Sequence, residues 1–323
     1  MKTITAICKA LSGHEWVMAM ARSILPVADR LIIAFPQTDW NGRPGNEVER
    51  LCGENLAALS AKISTFRPES KDQAGIYQEL IREADRTPYD YLQVIDCDEV
   101  WDDWAIRQAR SALDGDANAY SVKMFSYIRS PFYRVVPLDR NVPTCFIKKG
   151  VPYKGIRWSG ISRNIIPNIY FHHFSAVRRN LSDVVLKFNR SNTAEKIPPI
   201  NDKAWVENVW NKLPDAKNIN PNIGLAHIWP AVVRVDMSDL PISIRNEPMV
   251  TAFKDYCKTE TPKTKPNPEK KMAATPPDIT LASLFKEYGL PENFGPNHPK
   301  WWNKKYRIYY QRIMKRINPA LGK

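Results

Sequence analysis

The 323-residue chain has no run of 18 uncharged apolar residues, so no membrane-crossing helix is expected. Residues Met1 to Lys9 lack a long apolar stretch before their next charge, so no secretory leader is expected either. Cysteine is sparse: five residues, at 8, 52, 97, 145 and 257, an odd number with no Cys-x-x-Cys pair. That pattern excludes a disulfide framework and a paired-cysteine zinc site, and it suits a reducing cytoplasm. No glycine-rich loop followed by lysine lies near the first apolar segment, which argues against a P-loop nucleotidyltransferase. Acidic residues stop at Glu292.

Positive charge is what the chain has in excess, with a formal net of +13. Such a balance points to a polyanionic partner, nucleic acid or an anionic membrane surface. From residue 250 onward there are 15 Lys and Arg against 6 Asp and Glu, a net of +9, so most of the excess lies in the tail. The stretch from Cys257 to Pro277 is rich in Lys, Pro and Thr and reads as a linker or arm. After it, Ile279 to Tyr288 and Trp301 to Ile317 read as helices, the second with an aromatic stripe.

The first 100 residues alternate apolar runs with helical patterns. Strands are expected over Thr3–Cys8, Arg30–Phe35, Lys62–Phe66 and the segment ending at Asp96. Helices are expected from Trp16 to Leu25, over 46–59 and from Gln73 to Arg86. This β-α-β-α-β-α-β order implies a mostly parallel sheet with helices on both faces. Further on, the pattern gives a helix over Trp101–Leu113 and strands over Ala119–Tyr127, Tyr133–Val136, Thr144–Ile147 and Ile165–Phe174. Helices are then expected around Asp183–Phe188 and Asn201–Asn211.

The most informative stretch is Tyr91 to Glu99, an apolar run that ends abruptly in Asp96-Cys97-Asp98-Glu99. In an extended backbone Asp96 and Asp98 leave on the same face. Two carboxylates at the carboxyl end of a parallel strand suit Mg2+ or Mn2+, and ligands in such sheets bind there. The plain alternative is an acidic turn that caps a core strand.

Several pieces in order resemble the family-two-like glycosyltransferases of the GT-A fold, over about the first 240 residues. They are the turn Ser12-Gly13-His14-Glu15-Trp16, the helix start Lys71-Asp72-Gln73, the Asp96-x-Asp98-Glu99 strand end, and His172-His173-Phe174-Ser175-x-x-Arg178. The sequence departs from that pattern at Ala34-Phe35-Pro36, where many relatives carry acids that hold the nucleobase, and at His14, where many have Asn.

The resemblance implies an α/β, Rossmann-like GT-A catalytic domain over residues 1–240, a linker over 241–278 and a basic helical extension over 279–323. It implies a nucleotide-sugar donor and Mn2+ or Mg2+ held by Asp96 and Asp98, with His173 or His172 as a further ligand. Lys9, Glu15, Asp39, Gln73, Asp96 and Arg178 would contact the donor. A base for an inverting transfer would come from Glu99, Asp102 or Asp103, with Glu99 preferred and Asp98 beside it.

Arg157 and Trp158 would line an acceptor mouth. Lys304, Lys315 and Arg316 on the tail would meet a polyanionic acceptor. Lys and Arg neutralise phosphates and interleaved aromatics stack on bases, so the acceptor favoured is DNA carrying a hydroxymethylated pyrimidine, as phage enzymes of similar type modify. The location would then be the host cytoplasm. The alternatives are surface polysaccharide or lipid-linked glycan reached through an anionic membrane, and a non-catalytic nucleic-acid-binding protein on a transferase scaffold.

Overall fold

Alternation along buried strands builds the layers of the protein. The computed structural model describes residues 1–11, 14–38, 52, 55–56, 58–138, 142–153, 157, 162–194, 202–221 and 229–259. Its elements begin β1 (Ile4–Lys9), α1 (His14–Ile24), β2 (Arg30–Ala34), β3 (Ile63–Phe66), α2 (Gln73–Ala84), β4 (Tyr91–Asp96) and β5 (Glu99–Trp101). They continue α3 (Asp103–Ala112), β6 (Ala119–Ile128), β7 (Tyr133–Val136), β8 (Thr144–Lys148) and β9 (Asn164–Ala176). The last are α4 (Leu181–Ala194), α5 (Asp202–Asn208), β10 (Ala231–Arg234) and α6 (Pro248–Thr259).

Every residue of β1 is buried. Ile4, Ala6 and Cys8 join one core cluster and Ile7 joins another. β2 divides likewise, with Leu31 and Ile33 against Ile32 and Ala34. A strand covered on both faces needs an unbroken apolar run, which is what the sequence has there. Val17, Met20 and Ile24 of α1, with Ala105, Ile106 and Ala109 of α3, fill the first cluster. Ile76, Tyr77 and Leu80 of α2 fill the second. Each such large side chain contributes about 1.5–3 kcal/mol on burial. Asp72 fixes the start of α2 by accepting from Gly75 N at 2.9 Å, a normal N-cap.

The sheet runs β10-β7-β6-β8-β4-β1-β2-β3. β4, β1, β2 and β3 are mutually parallel, as the β-α-β order predicts. Beyond β4 the sheet is mixed. β8 is antiparallel to β4 and to β6, while β6 is parallel to β9. β5 pairs antiparallel with β9, setting Glu99 opposite His173 and Val100 opposite His172.

Three elements were not expected. β5 has three residues hidden between acids, β10 has four, and α6 lies inside the segment read as a linker. Leu240, Ile244, Met249 and Val250 join the cluster that holds Trp16, Tyr127 and Phe174. Residues 241–250 therefore carry core side chains rather than opening a linker, and the compact unit runs Met1–Thr261. The helices expected over 279–288 and 301–317, and most of the one over 46–59, lie outside the described residues.

One detail of β4 stands apart. Gln93 is fully buried, and neither its amide oxygen nor its amide nitrogen has a hydrogen-bond partner among the described residues.

Candidate functional site

β1 hydrogen-bonds to β2 on one side and to β4 on the other, and β3 extends the β2 side. The direction of chain winding therefore reverses between β1 and β4, which is where open α/β sheets form a binding crevice. The carboxyl-end pair at that seam is Lys9 and Asp96. Lys9 is 8% exposed, and its ammonium lies 5.6 Å from the centre of the Tyr77 ring. Burial lowers its pKa, with Asp96 pulling the other way.

The strand stops at Asp96, and Cys97 and Asp98 form a turn. The expected extended backbone, with Asp96 and Asp98 on one face, is thus replaced by a turn, and the two carboxylates have different partners. Asp96 is the open one, with its side chain 39% exposed. It accepts from the Tyr77 hydroxyl at 3.4 Å and from Arg157 Nη1 at 3.3 Å.

Asp98 is 1% exposed. Its Oδ2 accepts from Arg178 Nη2 at 2.6 Å and from Lys187 Nζ, and His173 Nε2 stands 3.5 Å from its Oδ1. Burial alone would raise the pKa of this carboxyl. Lys187, the hydrogen bond from His173 and Arg178 outweigh it and hold the pKa well below the usual carboxylate range.

Glu99 is also 1% exposed. Its Oε1 accepts from Arg157 Nη1 and its Oε2 from the backbone N–H of Asp96. Burial raises its pKa, and Arg157 only partly opposes this. A general base must reach its proton, and Glu99 is instead enclosed in an ion pair.

Asp96, Glu99 and His173 each offer one ligand atom, and these atoms lie within 4.8 Å of one another. Ligands about 2.1 Å from Mg2+ are at most about 4.2 Å apart, so a shift of a few tenths of an ångström closes the set. Two hard oxygens and one imidazole fit Mn2+ or Mg2+. Asp96 and His173, two of the residues named from the sequence, lie in this group, and Glu99 is its third member. Asp98 lies beside it, engaged by cations.

The paired histidines face opposite ways. His172 is 2% exposed. Its Nδ1 is 2.8 Å from the Tyr127 hydroxyl and its Nε2 3.1 Å from Asp102 Oδ2. Its strand neighbours fix it on the face away from Glu99 and His173. Asp103 is tied to Arg107 at 2.9 Å on the surface of α3.

Arg157, expected at an acceptor mouth, is 7% exposed and lies between Glu99, Asp96 and the Thr144 carbonyl. Burial works against its charge, but Glu99 and Asp96 raise its pKa well above the ordinary value. Arg178, expected to touch the donor, is 3% exposed and holds Asp98. Burial lowers its pKa, but Asp98 and then Glu15 outweigh that. Glu15 lies in the first turn of α1, with a buried Oε2 that has no hydrogen-bond partner among the described residues. Gln73 opens α2 and is exposed. Asp39, Trp158, Lys304, Lys315 and Arg316 lie outside the described residues.

Lys187 and Tyr153 were missed. Lys187 looks like any lysine on a surface helix. Tyr153 is 8% exposed, meets Tyr77 edge-on with ring centres 6.0 Å apart, and has a buried hydroxyl with no partner among the described residues. Only the fold brings either to the strand ends.

No family model matches the sequence, and no curated protein matches it. Among solved structures it is similar to S. aureus TarS 1-349, at 7% identity and a TM-score of 0.35, over 59% of this chain and 72% of that one. It is also similar to a mannose-1-phosphate geranyltransferase from Thermus thermophilus, at 16% identity and a TM-score of 0.29, over 48% of this chain and 51% of that one. Neither likeness bears on the chemistry of the site.

Proposed function

We propose that the protein is a metal-dependent glycosyltransferase of the GT-A type, moving a sugar from a nucleotide-sugar donor to a hydroxyl acceptor. The observation that carries this reading is the mixed charge cluster at the β1–β4 seam. There Asp96, Glu99 and His173 are placed so that they could hold a cation, and Lys9, Arg178 and Lys187 supply positive charge beside them. A donor diphosphate needs both kinds of group.

Bound Mn2+ or Mg2+ would neutralise charge on the leaving nucleoside diphosphate as a Lewis acid. The protein's own groups do the rest. Arg157 holds Asp96 and Glu99 in place and offsets their repulsion. Tyr77 orients Asp96 through its hydroxyl. Lys9 presents a partly desolvated ammonium, whose attraction for phosphate is stronger than it would be in water. As the acceptor we propose DNA with hydroxymethylated pyrimidine, supported by the net charge of +9 from residue 250 onward.

The test is a donor screen of the full chain. With Mn2+ and a panel of nucleotide sugars, one donor should release its nucleoside diphosphate, faster with hydroxymethylated DNA than with unmodified duplex. Release from no donor, with or without Mn2+, would sink the transferase reading. Release stimulated by anionic vesicles or glycan but not by DNA would keep the reading and replace the acceptor.

A further inference from the structure

Asp98 has more positive partners than one carboxylate requires. Arg178 and Lys187 share its Oδ2, and His173 faces its Oδ1. Its side chain is 2% exposed. Two cations already share Oδ2 and a third group faces Oδ1, so Asp98 is committed to positive side chains of the protein. The partners come from three places in the chain: β9, the loop two residues beyond it, and α4.

Lys187 is the most accessible of the strongly charged partners, its side chain 19% exposed against 2% for Arg178. An ammonium has three donors, and the bond to Asp98 uses one. Lys9, at the end of β1, is near enough for its charge and that of Lys187 to oppose each other. An anion among Lys9, Arg178 and Lys187 relieves that repulsion.

We infer that Lys187 grips the donor's diphosphate directly, that the buried Arg178 backs it with charge, and that Asp98 is a positioning residue that holds both cations ready rather than a metal ligand. The inference rests on the glycosyltransferase reading, and it separates two jobs. Asp96, Glu99 and His173 bind the divalent ion, while Lys187 binds phosphate oxygens with the charge of Arg178 behind it.

Calorimetric titration of the full chain with uridine diphosphate, guanosine diphosphate and inorganic pyrophosphate tests it, each with and without Mn2+. Binding of Mn2+ alone is read by electron paramagnetic resonance. Lys187→Met should weaken diphosphate binding about tenfold or more, the size expected for one charge-assisted contact. Lys187→Arg should recover most of it. Lys187→Met should leave binding of Mn2+ alone unchanged, whereas Asp96→Asn should weaken it at least tenfold. The inference is overturned if Lys187→Met binds all three anions as tightly as the wild type. It is also overturned if a folded Asp98→Asn protein loses Mn2+ as fully as Asp96→Asn does. A wild type that binds pyrophosphate, yet no nucleoside diphosphate, would uphold the grip and remove the glycosyltransferase reading. A wild type that binds none of the three would remove both.

Discussion

The two faces of the β5–β9 ribbon differ in kind. On one, Glu99 and His173 stand opposite each other among Asp96, Asp98, Arg157 and Lys187. On the other, Val100 and His172 pack with Tyr127, Phe174 and Trp16. Two histidines one residue apart thus have different surroundings, set by the period of two of a strand. One imidazole stands among several charged groups and is 19% exposed; the other is packed among rings at 2%, with a single carboxylate, Asp102, at its Nε2. Identical side chains become a candidate ligand and a structural tie through register alone.

The largest expected effect lies on the aromatic face. The Trp16 ring stacks on Phe174 at 4.2 Å, and its Nε1 donates to the Val177 carbonyl. Trp16→Ala should cost about 3–5 kcal/mol, measured by urea unfolding. A cost below about 1 kcal/mol would mean that this face is not core.

Next comes the charged face. His173→Ala should weaken Mn2+ binding about 10–100-fold, the range that loss of even an outer partner produces, with a melting curve close to the wild type. His172→Ala should do the reverse, leaving Mn2+ binding unchanged and costing about 1–3 kcal/mol, because a buried imidazole and its bond to the Tyr127 hydroxyl are lost from the core. If both variants lose Mn2+ equally, the contrast between the faces fails. Tyr127→Phe, which removes the same bond from the other side and leaves the buried Nδ1 without it, should also cost about 1–3 kcal/mol.

The last effect is a difference in slope, read in acid. The folded state depresses the pKa of Asp98. Its contribution to stability is therefore complete above the unfolded value of about 3.9, and is lost as pH falls through the folded one. Unfolding free energy of Asp98→Asn should be lower than wild type at neutral pH but should fall less steeply below about pH 4. Parallel curves for the two proteins would show that Asp98 is not the residue titrating there.

The parallel quartet was legible in the sequence because β1, β2 and β4 are buried on both faces and read as unbroken apolar runs, with the edge strand β3 following in the same alternation of strand and helix. The position of Asp96 was legible for the same reason, since an apolar run that stops at an acid marks a strand end. Asp98 was misread in one respect: two-residue spacing gives a shared face only if the strand continues, and it turns at Cys97. Nothing in Glu99-Val100-Trp101 announces a strand, because its pairing energy comes from β9, more than sixty residues away. Arg157 and Lys187 were illegible for a related cause. Their partners are distant in sequence, and an isolated basic residue has the same local pattern whether it is solvated or buried against an acid. In residues 241–250, polar residues and prolines masked the buried Ile244, Met249 and Val250.

Gln93 shows that the scaffold was not tuned for endurance. An amide in a dry interior with nothing to bind among the described residues forfeits its hydration for no return, and an aliphatic side chain of similar reach avoids that penalty. Gln93→Met should therefore give a hardier protein, by about 1 kcal/mol or more, while the residues at the strand ends keep their chemistry. The middle of β4 is where a sturdier version of this protein would begin.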